Sequence, residues 1–123
     1  MNKIKILIPI YNDWQSVFKL LENINLQVDN LKQEISVLIV NDASTEKRPD
    51  IDLDFDNLKS VHIINMKENK GHARCNATGL KYINEREEFD YVIPMDGDGE
   101  DRPEELNMPV SYTHLRAHET DSY

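Results

Sequence analysis

The residues best suited to chemistry in this chain lie close together: Asp96, Gly97, Asp98, Gly99, Glu100 and Asp101. Asp96, Asp98 and Glu100 alternate, so in an extended turn their carboxylates can converge on one hard cation. Mg²⁺ and Mn²⁺ prefer such oxygen ligands and are commonly shared with substrate phosphates. Gly97 and Gly99 let the backbone bend and leave room for a phosphate. By spacing alone, the same residues also fit a solvated acid-glycine turn. An EF-hand loop is excluded. Counted from Asp96, the glycine it needs at position six is Asp101, and the glutamate at position twelve is Asn107.

The flanks favour the metal reading. Tyr91-Val92-Ile93-Pro94 is a short apolar run of the kind that forms a buried strand. Pro103, followed by Glu104 and Glu105, reads as a helix start, because proline suits the first helical position and acids suit the positive end of the helix dipole. The acidic turn therefore sits between the C-terminal end of a strand and a helix. In open α/β sheets that is where ligands bind.

The elements that position this turn follow from periodicity. Lys3–Ile10 is nearly continuous in apolar residues, as a parallel strand buried on both faces must be. Asn12 is the expected N-cap of a first helix, with Gln15 as its capping-box partner. Val17, Leu20, Leu21 and Ile24 then form one helical face. Ile35–Val40 is a second buried strand, and Asn41-Asp42-Ala43-Ser44-Thr45 is a loop at its end. Residues 46–60 are acidic and weakly patterned, a loop with one helical turn around Phe55–Leu58. Val61–Asn65 is a third strand. Lys67–Gly71 is a basic loop, and a second helix runs from about His72 to Glu87. Gly79 weakens that helix by roughly 1 kcal/mol relative to alanine, which points to close packing at that position. The fourth strand, Asp90–Met95, delivers the acidic turn. This order predicts an α/β sandwich with a mostly parallel sheet.

Composition limits the partners. A length of 123 residues allows one domain. A net charge of −9 argues against nucleic acid or an anionic membrane surface as a direct partner. Cys75 is the single cysteine, which excludes an internal disulfide and fits a reducing compartment. Among helix-forming residues, its expected role is packing. There is no apolar run of transmembrane length and no signal-peptide pattern, so a soluble fragment that is cytoplasmic, or faces the cytoplasm, is expected.

The tail breaks the pattern. Val110–Thr120 reads as the translated end of a transposase adapter used in preparing sequencing libraries. The expected division is thus a folded part over residues 1–108 and a non-native tail over 109–123. His114 and His118, an i, i+4 pair that would otherwise suggest a metal site, are set aside on this ground.

Four segments, in order, carry a resemblance: Ile8-Pro9-Ile10-Tyr11-Asn12, Val40-Asn41-Asp42-Ala43-Ser44, Asn69-Lys70-Gly71-His72-Ala73-Arg74-Cys75-Asn76-Ala77-Thr78-Gly79 and Met95-Asp96-Gly97-Asp98. With these, residues 2 to about 107 resemble the N-terminal, donor-binding half of a family 2 glycosyltransferase. Asp96–Glu105 is similar to the polyprenyl-phosphate (dolichyl-phosphate-type) mannosyltransferase branch, where a third metal ligand follows the second aspartate by two positions. Glu100 stands there. The resemblance implies a GT-A fold, a three-layer α/β sandwich like that of nucleotide-diphospho-sugar transferases, here truncated. It also implies a nucleotide-diphosphate sugar donor, a divalent cation (Mg²⁺ or Mn²⁺), and a polyprenyl-phosphate or saccharide acceptor.

By position, the resemblance places Tyr11 against the nucleotide base and the backbone around Pro9 in the same pocket. Asp42 would accept a hydrogen bond from the base, and Lys70 or Arg74 would add positive charge beside the diphosphate. Asp96 and Asp98 form the DXD motif, with Asp96 near ribose and metal and Asp98 on the cation. Plainer uses exist for each. Tyr11 can simply close a strand, Asp42 can turn its own backbone, and Lys70 and Arg74 can be solvated residues at a helix start. The chain departs from the family at Asn41, where a second aspartate is usual, and at Ala43, where glycine is frequent. Asn41 keeps an acceptor, so the change is expected to be tolerated. The catalytic-base aspartate and the acceptor half are expected beyond the end of this chain, which would leave the fragment inactive.

Two other classes remain open. One is a non-catalytic nucleotide-binding fragment. The other is a sugar-phosphate nucleotidyltransferase, which carries a glycine-rich basic loop after its first strand, where this chain has Tyr11-Asn12-Asp13-Trp14. No GxGxxG fingerprint is present, which disfavours NAD. A long read of the source DNA across the codons for Asn107–Tyr123 is expected to leave the adapter frame after Met108 and continue in an open frame with a further acidic motif. A genomic context encoding the tail itself would overturn the adapter reading.

Overall fold

The computed structural model describes residues 2–30 and 32–97. In order these form β1 (Lys3–Ile10), α1 (Trp14–Gln27), β2 (Glu34–Asn41), β3 (Ser60–Asn65), α2 (His72–Arg86) and β4 (Tyr91–Pro94), with a 3-10 turn at Val28–Asn30 after α1. The strands make one sheet in the order β3-β2-β1-β4. Every pairing in it is parallel, with Ile4 opposite both Ile35 and Tyr91.

β1 occupies an interior position, and its side chains feed two cores. Ile4, Ile6, Ile8 and Ile10 join Ile35, Val37, Ile39 and Ile93 beneath α1, which contributes Trp14, Val17, Phe18, Leu20, Leu21 and Ile24. Leu7 joins Leu38, Val40 and Val92 on the other face, against Cys75 and Ile83 of α2. The alternation of strand side chains thus makes three layers: helix, sheet, helix. Ile6, Leu7, Ile8 and Ile10 are fully buried. Each such side chain contributes about 1.5–3 kcal/mol relative to exposure.

The helices match the expected spans closely, with one correction. Asn12 does not cap α1. The cap position is Asp13, which makes no side-chain capping bond, and Asn12 sits at φ 58 with its side chain committed elsewhere. Between β2 and β3 there is no crossover helix. Leu53, Phe55 and Leu58 pack on the α1-side core instead, and Leu58 N–H closes a turn on the Phe55 carbonyl at 3.3 Å. Asn57 holds this loop to α1, donating its backbone N–H to Asn25 Oδ1 and its side-chain amide to the Asn25 carbonyl, both at 2.8 Å.

Gly79 shows why α2 tolerates a poor helix former. A Cβ there would lie 2.3 Å from Leu7 Cδ1 and 3.1 Å from Val40 Cγ2. The helix therefore approaches the sheet more closely than alanine permits. Gly79→Ala gains roughly 1 kcal/mol of helix propensity but overpacks a site closed by the fully buried Leu7, at a cost of about 1–3 kcal/mol. The expected outcome is net destabilisation of up to about 2 kcal/mol, read as a lower urea midpoint at unchanged slope.

Candidate functional site

Strand order fixes where a site can form. From β1 the chain moves to β2 and then outward to β3, whereas β4 returns to the opposite side of β1. The reversal lies between the C-terminal ends of β1 and β4, a topological switch point where open α/β sheets bind ligands. Tyr11 and Asn12 leave one of these ends, Asp96 and Gly97 the other.

The gap between them has a cause in Pro9. Peptide groups of Lys3 and Leu7 face β4, for their carbonyls accept N–H bonds from Asp90 and Met95 at 2.8 and 2.9 Å. Pro9 is the next residue on that side and has no N–H to offer. The β1–β4 ladder ends at Leu7 and Pro94. Beyond it the chain at Gly97 lies against the end of β1, and glycine is required for that approach. A Cβ there would lie 2.6 Å from Ile10 Cγ2 and 3.3 Å from the Pro9 carbonyl oxygen. Met95 is buried, and the next residue, Asp96, is exposed. Asp98 and Glu100 lie outside the described residues.

On the β1 side, Tyr11 is 39% exposed, open to a planar partner. Asn12 ties its loop to the one after β2. Its N–H donates to Ser44 Oγ at 2.8 Å and its side-chain amide to Thr45 Oγ1 at 2.9 Å, while its Oδ1 accepts Glu46 N–H at 2.9 Å. Trp14 adds a bond from Nε1 to the Glu46 carbonyl at 3.0 Å.

The loop after β2 is held from within. Asn41 Oδ1 accepts both the N–H and the hydroxyl of Ser44. Its Nδ2 donates to Oδ1 of Asn65, its register partner on β3, at 2.9 Å. An aspartate at position 41 could accept but not donate, so the asparagine serves a bond of its own. Asp42 is 1% exposed. Its carboxylate accepts the backbone N–H groups of Lys70 at 2.7 Å and Gly71 at 2.8 Å, one per oxygen. Its carbonyl accepts from the Asn69 side chain at 3.1 Å. Burial first, then the neighbouring Asp42, push the Cys75 thiol up to about 12, which agrees with a packing role for that cysteine.

Lys70 and Arg74 are exposed at the start of α2. The Lys70 ammonium reaches Glu68 Oε1 at 2.8 Å, and that contact holds the Glu68 carboxyl below its ordinary range. The structure therefore gathers the expected residues at one edge of the sheet: Pro9 near the end of β1, Tyr11, Asp42, Lys70 and Asp96 on the segments that follow the four strands, and Arg74 in the first turn of α2. Among the described residues no group of three acidic, histidine or cysteine side chains could hold a metal alone. Asp96 is the one expected ligand that falls within them. A separate cavity of about 400 Å³ opens beside Asn12, Trp14, Ser16 and Lys47 and includes none of these residues. The sequence reading missed the bonds joining the loops. The polar density of Asn41–Thr45 signals turn-forming side chains, but nothing local says which loop they reach.

Ala43 has φ 58, a left-handed conformation that costs an L-residue roughly 1–2 kcal/mol. Ala43→Gly relieves that strain and loses about 0.4–1 kcal/mol through the freer unfolded chain. The variant should be more stable by about 0.5–1 kcal/mol, measured by equilibrium denaturation.

With this geometry in place, the comparisons with known proteins can be weighed. The model of the family described as "Glycosyl transferase family 2" matches residues 5–117. The undecaprenyl-phosphate 4-deoxy-4-formamido-L-arabinose transferase of Proteus mirabilis is 27% identical over 90% of this chain and 33% of its own length. Its counterpart from Photorhabdus laumondii is 30% identical over 86% of this chain and 32% of its own length. The chain spans about a third of the length of these curated relatives. Among solved structures, S. aureus TarS residues 1–349 superpose with a TM-score of 0.58 at 22% identity, covering 78% of this chain and 27% of that one. A likeness at that identity shows the fold alone, and the fold is of GT-A type. No helix among the described residues is long and apolar enough to cross a membrane.

Proposed function

This chain belongs to glycosyl transferase family 2, and on that premise we propose that it is the donor-binding part of an enzyme that transfers a sugar from a nucleotide-diphosphate sugar to an acceptor. The carrying observation is the switch point itself, where the exposed Tyr11 and Asp96 flank the end of β1. The base lies on Tyr11 above the Pro9 backbone, beside the turn at Asp42. Lys70 and Arg74 face the diphosphate from the start of α2, with Lys70 exchanging its Glu68 partner for phosphate oxygens. A divalent cation, Mg²⁺ or Mn²⁺, is held by Asp96, Asp98 and Glu100. Of these, the exposed Asp96 at the mouth of the cleft fits a hard-cation ligand. When bound, the cation offsets the negative charge that develops on the departing nucleoside diphosphate.

The acceptor is a polyprenyl phosphate. Support comes from the two relatives whose names specify undecaprenyl phosphate. A phosphate acceptor is already a nucleophilic anion near neutral pH, so it depends less on a general base than a sugar hydroxyl does. That base belongs to the part of the relatives this chain does not span. A lipid-linked acceptor would bring the enzyme to a membrane surface, and a nucleotide-sugar donor fits the cytoplasmic face.

The test is a titration of the chain with UDP and GDP, each with and without Mg²⁺ or Mn²⁺. Cation-dependent binding of one of them is expected. Asp98→Ala should weaken that binding by more than about tenfold while leaving the far-UV circular dichroism unchanged. Equal affinity with and without cation, or an unaltered titration in the variant, would remove the metal assignment.

A further inference from the structure

The backbone on either side of Tyr11 is tied to the loop after β2. Before it, the Ile10 carbonyl accepts the Asp42 N–H at 2.9 Å. After it, the Asn12 N–H donates to Ser44 Oγ at 2.8 Å, and the Tyr11 N–H itself turns to Asp13 Oδ2 at 3.1 Å. Between these ties Asn12 takes φ 58. Asparagine enters that left-handed region more readily than most residues, but such a conformation persists only where its surroundings over-determine it. Here they do. Asn12 Nδ2 donates to Thr45 Oγ1 and its Oδ1 accepts the Glu46 N–H, both at 2.9 Å. The Glu46 carbonyl is held in turn by Trp14 Nε1 at 3.0 Å. Ser44 passes the link on, for its hydroxyl donates to Asn41 Oδ1 and Asn41 Nδ2 donates to Asn65 Oδ1. Glycine would reach the same φ without strain, so an asparagine at this position serves its side-chain bonds.

We infer that Asn12 is a positioning residue for Tyr11. Its bonds to Ser44, Thr45 and Glu46 hold the left-handed turn that sets the tyrosine at the mouth of the cleft. A nucleobase then meets a face already in place, and binding need not order the loop first. The link between the loops stands by itself, whereas its service to the base rests on the donor-binding reading.

Hydrogen exchange and nucleotide titration on the whole chain test the two separately. Asn12→Gly keeps the backbone conformation and removes both side-chain bonds. In the unaltered protein the Glu46 amide should exchange far more slowly than other exposed loop amides. In Asn12→Gly it should exchange roughly tenfold faster, with Ile6 and Ile8 unaltered. Titration with UDP and GDP in Mg²⁺ then compares Asn12→Gly, Tyr11→Ala and the double variant. Asn12→Gly alone should weaken the tighter-binding nucleotide by roughly fivefold, and Tyr11→Ala by roughly tenfold. Added to Tyr11→Ala, Asn12→Gly should change affinity by less than about twofold, because the face it positions is gone. Unaltered exchange at Glu46 in Asn12→Gly would overturn the link. An equal loss with and without the Tyr11 ring would mark a direct contact or a general loosening, and would overturn the positioning role. If Asn12→Gly does not fold, Ser44→Ala, which removes the acceptor of the Asn12 N–H, carries the same cycle, and loop-like exchange at Glu46 in the unaltered chain refutes the link by itself. Failure of the unaltered chain to bind either nucleotide removes the donor-binding reading and the positioning role with it, while the exchange result stands apart.

Discussion

Strand β1 is hydrogen-bonded to β2 on one side and to β4 on the other, while its side chains alternate between two apolar layers. A strand enclosed in this way can carry no polar side chain without a partner. Its one buried cation, Lys5, lies 3.4 Å from Glu87 at the end of α2. Both helices are placed by what β1 offers them: the isoleucines at even positions hold α1, and Leu7 meets Gly79 of α2. The strand also sets the site. Pro9 is compatible with an interior strand because its missing N–H falls where the β4 ladder ends, and that ending frees the acidic turn to leave the sheet.

At the C-terminal edge the governing constraint changes from apolar burial to hydrogen-bond accounting. Turns that pack against a sheet bring backbone N–H groups away from water, and each must find an acceptor. Asn12, Asn41 and Asp42 meet that need in three ways: Asn12 bridges to the loop after β2, Asn41 links β2 to β3, and Asp42 holds the loop before α2. These bonds join the turns of β1, β2 and β3 into one connected rim. The rim holds Tyr11, Lys70 and Arg74 in fixed relation without using their side chains as supports, apart from the exposed contact between Lys70 and Glu68. A ligand can therefore engage them without dismantling the fold.

Family membership and rim geometry bear on different questions. The match to glycosyl transferase family 2 says which family the chain belongs to. The rim says which side chains the fold leaves exposed at one edge of the sheet. Tyr11 and Asp96 are exposed beyond the ends of β1 and β4, and Lys70 and Arg74 at the start of α2. The curated relatives that the chain matches are about three times as long.

The apolar runs at Lys3–Ile10 and Ile35–Val40 made the parallel sheet legible in the sequence, since only strands buried on both faces lack alternation. Gly79 in a helical pattern announced a close approach, and the acids after Tyr91–Pro94 marked the ligand edge. Local pattern misassigned Asn12, whose type suits a helix cap but whose side chain answers to Ser44, Thr45 and Glu46, more than thirty residues away. Asp42 shows the same limit. Its carboxylate accepts from Lys70 and Gly71, nearly thirty residues on, and no local pattern announces those partners. Periodicity carries information about burial because burial repeats with the geometry of a single element. A polar side chain's partner is chosen by which loops the completed sheet brings together, and only the folded chain decides that.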